Sequence, residues 1–192
     1  PGDPNEIRRV GLINIESVNI IYLDLPDPYA NQVIDFNWSP NSSLLIDTAS
    51  DNAVERKLFV VASGESKLQE IWRGVRESRM YTSFGSTWHP DGKNVIFLSD
   101  MGDRYGLYKI DITEPNQSPQ LLTDPSYDVL STPSIAGNTL FYSGNGVNPY
   151  EQHVYRLKMF SGHPEQVTLL SGRNVGYPSP DGRNLVFMHS ND

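Results

Sequence analysis

A short phrase recurs along this chain and leaves few folds open to it. Trp88-His89-Pro90-Asp91-Gly92-Lys93 is followed by the apolar run Val95 to Leu98 and closed by Ser99-Asp100. Proline presets a negative φ and glycine permits a positive one, so Pro90-Asp91-Gly92-Lys93 reads as a tight reversal between two strands. Trp38-Ser39-Pro40-Asn41-Ser42-Ser43 leads into Leu44 to Asp47 in the same way. Tyr177-Pro178-Ser179-Pro180-Asp181-Gly182-Arg183-Asn184 leads into Leu185 to Phe187, and Ser134 to Ser143 carries a weaker copy. Pro40 and Pro90 stand 50 residues apart, Ser99 and Ser143 stand 44 apart, and Asp91 and Asp181 stand 90 apart, two steps of the same size.

A second element repeats in phase with the first. Ile20 to Asp24, Leu58 to Val61, Leu107 to Asp111 and Val154 to Leu157 are short strand-like runs. Their aromatics, Tyr22, Phe59, Tyr108 and Tyr155, follow at steps of 37, 49 and 47 residues. A period of roughly 40 to 50 residues with several strands per unit is the signature of propeller blades. The expected fold is therefore all-β, a propeller segment of roughly four blades, each a four-stranded antiparallel sheet. The blade boundaries fall near 6–30 (partial), 31–74, 80–124, 128–171 and 172–192 (partial), within a single domain 1–192. Three fuller blades and two partial ones do not by themselves close a ring, since propellers have about four to eight blades. The terminal pieces combine into one blade of a small ring, or the chain is cut from a larger propeller.

Composition enters as a set of exclusions. The net charge of −8 argues against nucleic acid, whose binding needs a basic face. With no cysteine, neither a disulfide nor a thiolate zinc site can form. No apolar run approaches the roughly 20 residues that span a membrane as a helix. The polar start Pro1-Gly2-Asp3-Pro4-Asn5 lacks the pattern of a signal peptide and reads as a fragment boundary. No cofactor and no metal is expected. His89, His153, His163 and His189 are scattered and show no ligand spacing. Asp100 to Gly106 falls short of a calcium loop and reads as a turn.

The recurring aromatics read as packing between successive blades, and Trp38 and Trp88 as repeat core. Asp47 and Asp51 read as caps of the turn between them. Arg73-Gly74-Val75-Arg76-Glu77-Ser78-Arg79 is the one basic cluster, three arginines in seven residues. It reads as a solvated loop, as one short turn of helix, or as guanidinium groups that hold a carboxylate or carbonyl of a peptide.

Taken in order, several segments resemble one family. They are Val33 to Trp38, Ile71 to Val75, Trp88 to Asp91, Asp103 to Asp111, Leu121 to Asp124, Val154 to Leu157 and Tyr177 to Gly182. The hairpin phrase is similar to the repeat of prolyl oligopeptidase-type propellers and the Tol-system propeller. The ordered set, over residues 8 to 190, resembles the later blades of the N-terminal propeller of the dipeptidyl peptidase IV family. That resemblance implies a non-catalytic propeller that gates peptide access to an α/β-hydrolase domain of the same parent chain. The parent would be a serine peptidase that releases dipeptides from peptide N-termini. The resemblance also implies an extracytoplasmic location, periplasmic or secreted, and leaves a homodimer open. No Gly-x-Ser-x-Gly elbow and no Glu-Glu pair occurs in these residues, so no catalytic residue is assigned here. The family places an aromatic and an arginine near the substrate cavity, and the matching stretch here is Arg79-Met80-Tyr81-Thr82-Ser83. Tyr81 aligns with the aromatic. Thr82 stands at the arginine position, where Arg76 or Arg79 substitutes from nearby. Arg76, Arg79 and Tyr81 are the candidate substrate-pocket residues. The alternative from a different class is a stand-alone propeller, like that of the Tol system, that binds a protein or peptide without enzymatic activity.

Overall fold

The computed structural model describes residues 9–26, 31–78, 80, 85–114, 117–160 and 162–191. Every regular element among them is a β-strand. No described helix is long and apolar enough to cross a membrane, which says nothing of crossing by strands. The chain divides into two compact units, Pro1–Tyr81 and Thr82–Asp192.

The first unit holds β1 (Val10–Ile13), β2 (Ile20–Leu23), β3 (Asn31–Trp38), β4 (Leu44–Ser50), β5 (Glu55–Val61) and β6 (Leu68–Val75). β1 and β2 form an antiparallel hairpin, and β3 to β6 form a four-stranded meander in chain order. The hairpin lies over the meander through Leu23, Leu44, Ile46, Phe59 and Val61, with Val10 and Leu12 packed against them. Burying each such side chain stabilises the unit by about 1.5–3 kcal/mol.

The second unit holds β7 (Ser86–Trp88), β8 (Asn94–Ser99), β9 (Gly106–Asp111), β10 (Gln120–Leu121), β11 (Ser134–Ala136), β12 (Thr139–Gly144), β13 (His153–Lys158), β14 (Glu165–Gln166), β15 (Arg173–Pro178) and β16 (Leu185–Ser190). β7 to β10 make one four-stranded meander, β11 to β14 a second, and β15 pairs β16 alone. The two meanders share a core of Ile96, Leu98, Leu107, Leu140, Tyr142 and Leu157, all buried. Ala136, Phe141, Val154 and Leu185 join the second meander to the last hairpin. Cores that lie between successive four-stranded sheets make this an all-β propeller segment.

The repeated turn closes in one way each time. The amide of His89 donates to Asn94 O at 2.8 Å and that of Gly92 to His89 O at 3.0 Å, with Gly92 at φ 67°. The Ser179 turn repeats both bonds at 2.8 Å, with Gly182 at φ 68°. In the Ser39 turn the same place belongs to Ser42 at φ 61°, so a residue with a Cβ occupies the left-handed region there.

Several expectations from sequence need correction. Trp88 is 5% exposed, as repeat core should be, but Trp38 is 62% exposed. Phe59, Tyr108 and Tyr155 are buried, whereas Tyr22 is 58% exposed, because its strand belongs to a two-stranded hairpin. Arg73 to Val75 is the end of strand β6 and not a helical turn. Asp47 lies inside β4 and is fully buried, so it caps no turn.

Candidate functional site

The basic cluster sits at the end of β6, and the structure shows why that end is rigid. Arg56 on β5 lies opposite Gly74, and its guanidinium rests 5.9 Å from the centre of the Trp72 ring. A Cβ on Gly74 would come within 2.5 Å of that ring, so only glycine lets the indole lie along the strand. Beneath it, Arg56 Nε donates to Asp47 Oδ1 at 2.9 Å and Nη2 to Oδ2 at 2.6 Å. The two side chains are 3% and 0% exposed. Two parallel bonds of this kind fix the guanidinium in one orientation.

Past the strand end, the segment stays tied to the β4–β5 turn. The Arg76 amide donates to Val54 O and the Met80 amide to Ala53 O, both at 2.8 Å. A cleft of about 470 Å³ opens beside this seam, lined by Ser50, Asp51, Asn52, Val54, Glu55 and Val75. Burial pushes the Glu55 carboxyl up, but Lys57 and Arg73 outweigh it and hold the group below the usual carboxylate range. Arg73 is paired with Glu55, and Arg76, which follows the cleft-lining Val75, is half-buried. Of the residues expected to face substrate, Arg76 is therefore placed, next to a cleft and on a pinned backbone. Arg79, Tyr81 and Thr82 lie outside the described residues.

The second unit has a cleft of about 550 Å³ between its two meanders. Tyr155 is stacked against Tyr127 at 4.9 Å and Tyr142 at 5.4 Å between ring centres. Tyr127 and Tyr142 share a hydrogen bond of 2.8 Å between their hydroxyls. Tyr155 stands at the recurring aromatic position of the repeat, whereas Tyr127 and Tyr142 do not. Their meeting is a tertiary fact with no local signal.

Three of the four histidines are held in packed or hydrogen-bonded places, whereas His163 is exposed and lines the cleft of the second unit. His89 Nδ1 accepts the Asp91 amide at 3.1 Å, Nε2 lies 3.3 Å from Met159 O, and the ring meets Phe160 edge-on at 4.9 Å. His153 bonds Glu151 at 3.0 Å, and His189 bonds the fully buried Asn174 at 3.1 Å. No three His, Asp or Glu side chains among the described residues converge as metal ligands would.

This geometry defines a class first, an all-β propeller segment with a cleft in each of its two units. Comparison with known proteins then gives the lineage. The sequence matches the family described as Dipeptidyl peptidase IV (DPP IV) N-terminal region over residues 1–191, and the chain belongs to that family. Among solved structures it is similar to dipeptidyl peptidase 4 of Porphyromonas gingivalis, with a TM-score of 0.77 and 16% identity over 95% of this chain. It is also similar to TolB of Acinetobacter baumannii, with a TM-score of 0.62 and 14% identity over 95% of this chain. At these identities the likeness is one of fold. The chain spans 26% of the first of those proteins and 43% of the second.

Proposed function

We propose that this chain is the non-catalytic propeller region of a serine dipeptidyl peptidase, where it admits and positions peptide substrate for an α/β-hydrolase domain of the same parent protein. The observation that carries this reading is the family match over residues 1–191. The higher structural similarity to a dipeptidyl peptidase than to TolB favours it over a stand-alone binding propeller. In this reading the segment after β6 presents Arg76, Arg79 and Tyr81 to the peptide. The pinned end of β6 gives that segment a rigid base, and preorganised groups bind at lower entropic cost. An extracytoplasmic location and a homodimer belong to the same proposal and rest on the family alone.

The test is enzymatic. The complete reading frame that carries this chain is expressed and assayed with glycyl-prolyl-p-nitroanilide and a fluorophosphonate serine probe. The expected outcome is dipeptide release by a serine-labelled parent protein and none by the 192-residue chain. Arg79→Ala and Tyr81→Ala in the parent should each lower kcat/KM by roughly 10- to 100-fold, the loss expected for a charged hydrogen bond or an aromatic contact. A parent protein with no labelled serine and no turnover would leave the fold assignment intact and sink the peptidase reading.

A further inference from the structure

The 550 Å³ cleft of the second unit is lined by residues 122–127 after β10, by the β12–β13 connection, and by β13, β14 and the loop between them. Its volume lies within the roughly 300–1,000 Å³ of sites that take small molecules or short peptide segments. Asp124 is the one carboxylate in its lining, beside the Thr123 and Ser126 hydroxyls and the imidazole of His163. Asp124 is exposed, and the Ser126 hydroxyl and amide hold its carboxyl below the usual range, so it is ionised at neutral pH. Gln166 donates its Nε2 to Thr168 O at 2.9 Å, and among the described residues its Oε1 accepts from the Tyr155 hydroxyl at 3.4 Å. No lysine or arginine is among the lining residues. Arg156, on the neighbouring position of β13, is already paired with Glu165 at 2.7 Å.

The tyrosine stack reports the field in this cleft. Burial is the first reason that Tyr127, Tyr142 and Tyr155 resist ionisation, and the negative charge of Asp124 adds to it at all three. The Tyr155 hydroxyl is pushed up to about 12. Burial disfavours a charge of either sign, but the Asp124 charge that opposes a phenolate attracts a cation beside it. Pro125, Pro164 and Val147 add apolar wall for a hydrocarbon stem. Gln166 also belongs to β14, the edge strand of its sheet, whose outer backbone groups have no neighbouring strand among the described residues. An edge of that kind accepts an extended peptide.

We propose that this cleft binds the side chain of a lysine or arginine presented by an extended peptide, with Asp124 and Gln166 as acceptors for its charged head. The inference does not rest on the peptidase reading, and it holds or fails whether or not the parent turns over a dipeptide substrate.

The experiment is saturation-transfer NMR on the intact protein with acetyl-Gly-Lys-Gly-amide and acetyl-Gly-Arg-Gly-amide. The norleucine analogue, which keeps the stem and lacks the charge, and n-butylamine, which keeps the charge and lacks the peptide, serve as comparators. Both basic peptides should bind, and the two comparators should bind at least about tenfold more weakly. Asp124→Asn should weaken lysine-peptide binding about tenfold, the usual loss for a hydrogen bond to a charged group. Glu16→Gln, an exposed carboxylate on the β1–β2 hairpin, should leave it unchanged. Val147 is 98% exposed, so Val147→Lys tests the field at the cleft mouth without touching the core and should also abolish binding. Equal binding of the norleucine peptide or of butylamine overturns the assignment. So does unchanged affinity in the Asp124 and Val147 variants, or no saturation transfer to either basic peptide at millimolar concentration.

Discussion

Asp47 shows how far one residue can depart from its sequence context. It ends the run Leu44-Leu45-Ile46-Asp47, where a carboxylate reads as the polar end of a strand. In the fold it is in the middle of β4, fully buried, and neutralised by Arg56 across the β4–β5 hairpin. Two charges taken from water are tolerated when they meet with good geometry, and breaking such a buried pair by removing one member is strongly destabilising. Asp47→Ala should therefore cost about 3–5 kcal/mol in chemical denaturation. Replacing both, as Asp47→Leu with Arg56→Met, should recover most of that loss, and a double variant no more stable than the single one would refute the account. The pair was illegible in sequence because its partner lies nine positions away and only the hairpin register puts both on one face.

At the scale of an element, the repeated hairpin was the most legible part of the chain. Its turn chemistry is local: Asp91 accepts the amides of Lys93 at 2.8 Å and Asn94 at 3.0 Å, and the Asn94 side chain at 2.8 Å. Partial burial pushes the Asp91 carboxyl up, but these bonds and the neighbouring His89 outweigh it and leave the group below its ordinary value. A carboxyl with a folded pKa below its unfolded value of about 3.9 contributes fully above that pH. The contribution is lost as acid takes the pH down through the folded value. Asp91→Ala should thus cost about 1–2 kcal/mol at neutral pH. Melting temperatures of the variant and the parent should converge as the pH falls from 5 to 2. A gap that stays constant over that range would mean the carboxylate is not the source. What the hairpin phrase could not convey is its surroundings. Trp38 and Trp88 occupy the same place in the repeat, yet one is exposed and the other buried, since burial depends on the sheet alongside and not on the turn.

For the whole molecule, the unpaired features decide behaviour. β16 is an edge strand with Val186 68%, Phe187 44% and Met188 63% exposed, and apolar edges of this kind pair with other chains. Sedimentation velocity on the 192-residue chain should show concentration-dependent self-association, and Val186→Lys should suppress it. A monomer at every concentration, or no effect of the lysine, would refute this. The sequence by itself determined the all-β class, the hairpin turns and the family, because turn residues and period-2 alternation act between neighbours and recur at a fixed spacing. Only the tertiary structure decided which aromatics stack, which carboxylate is buried and where the cleft of the second unit opens. Those features join Tyr127, Tyr142 and Tyr155, or Asp47 and Arg56, which become neighbours only once strands take their register and sheets pack face to face.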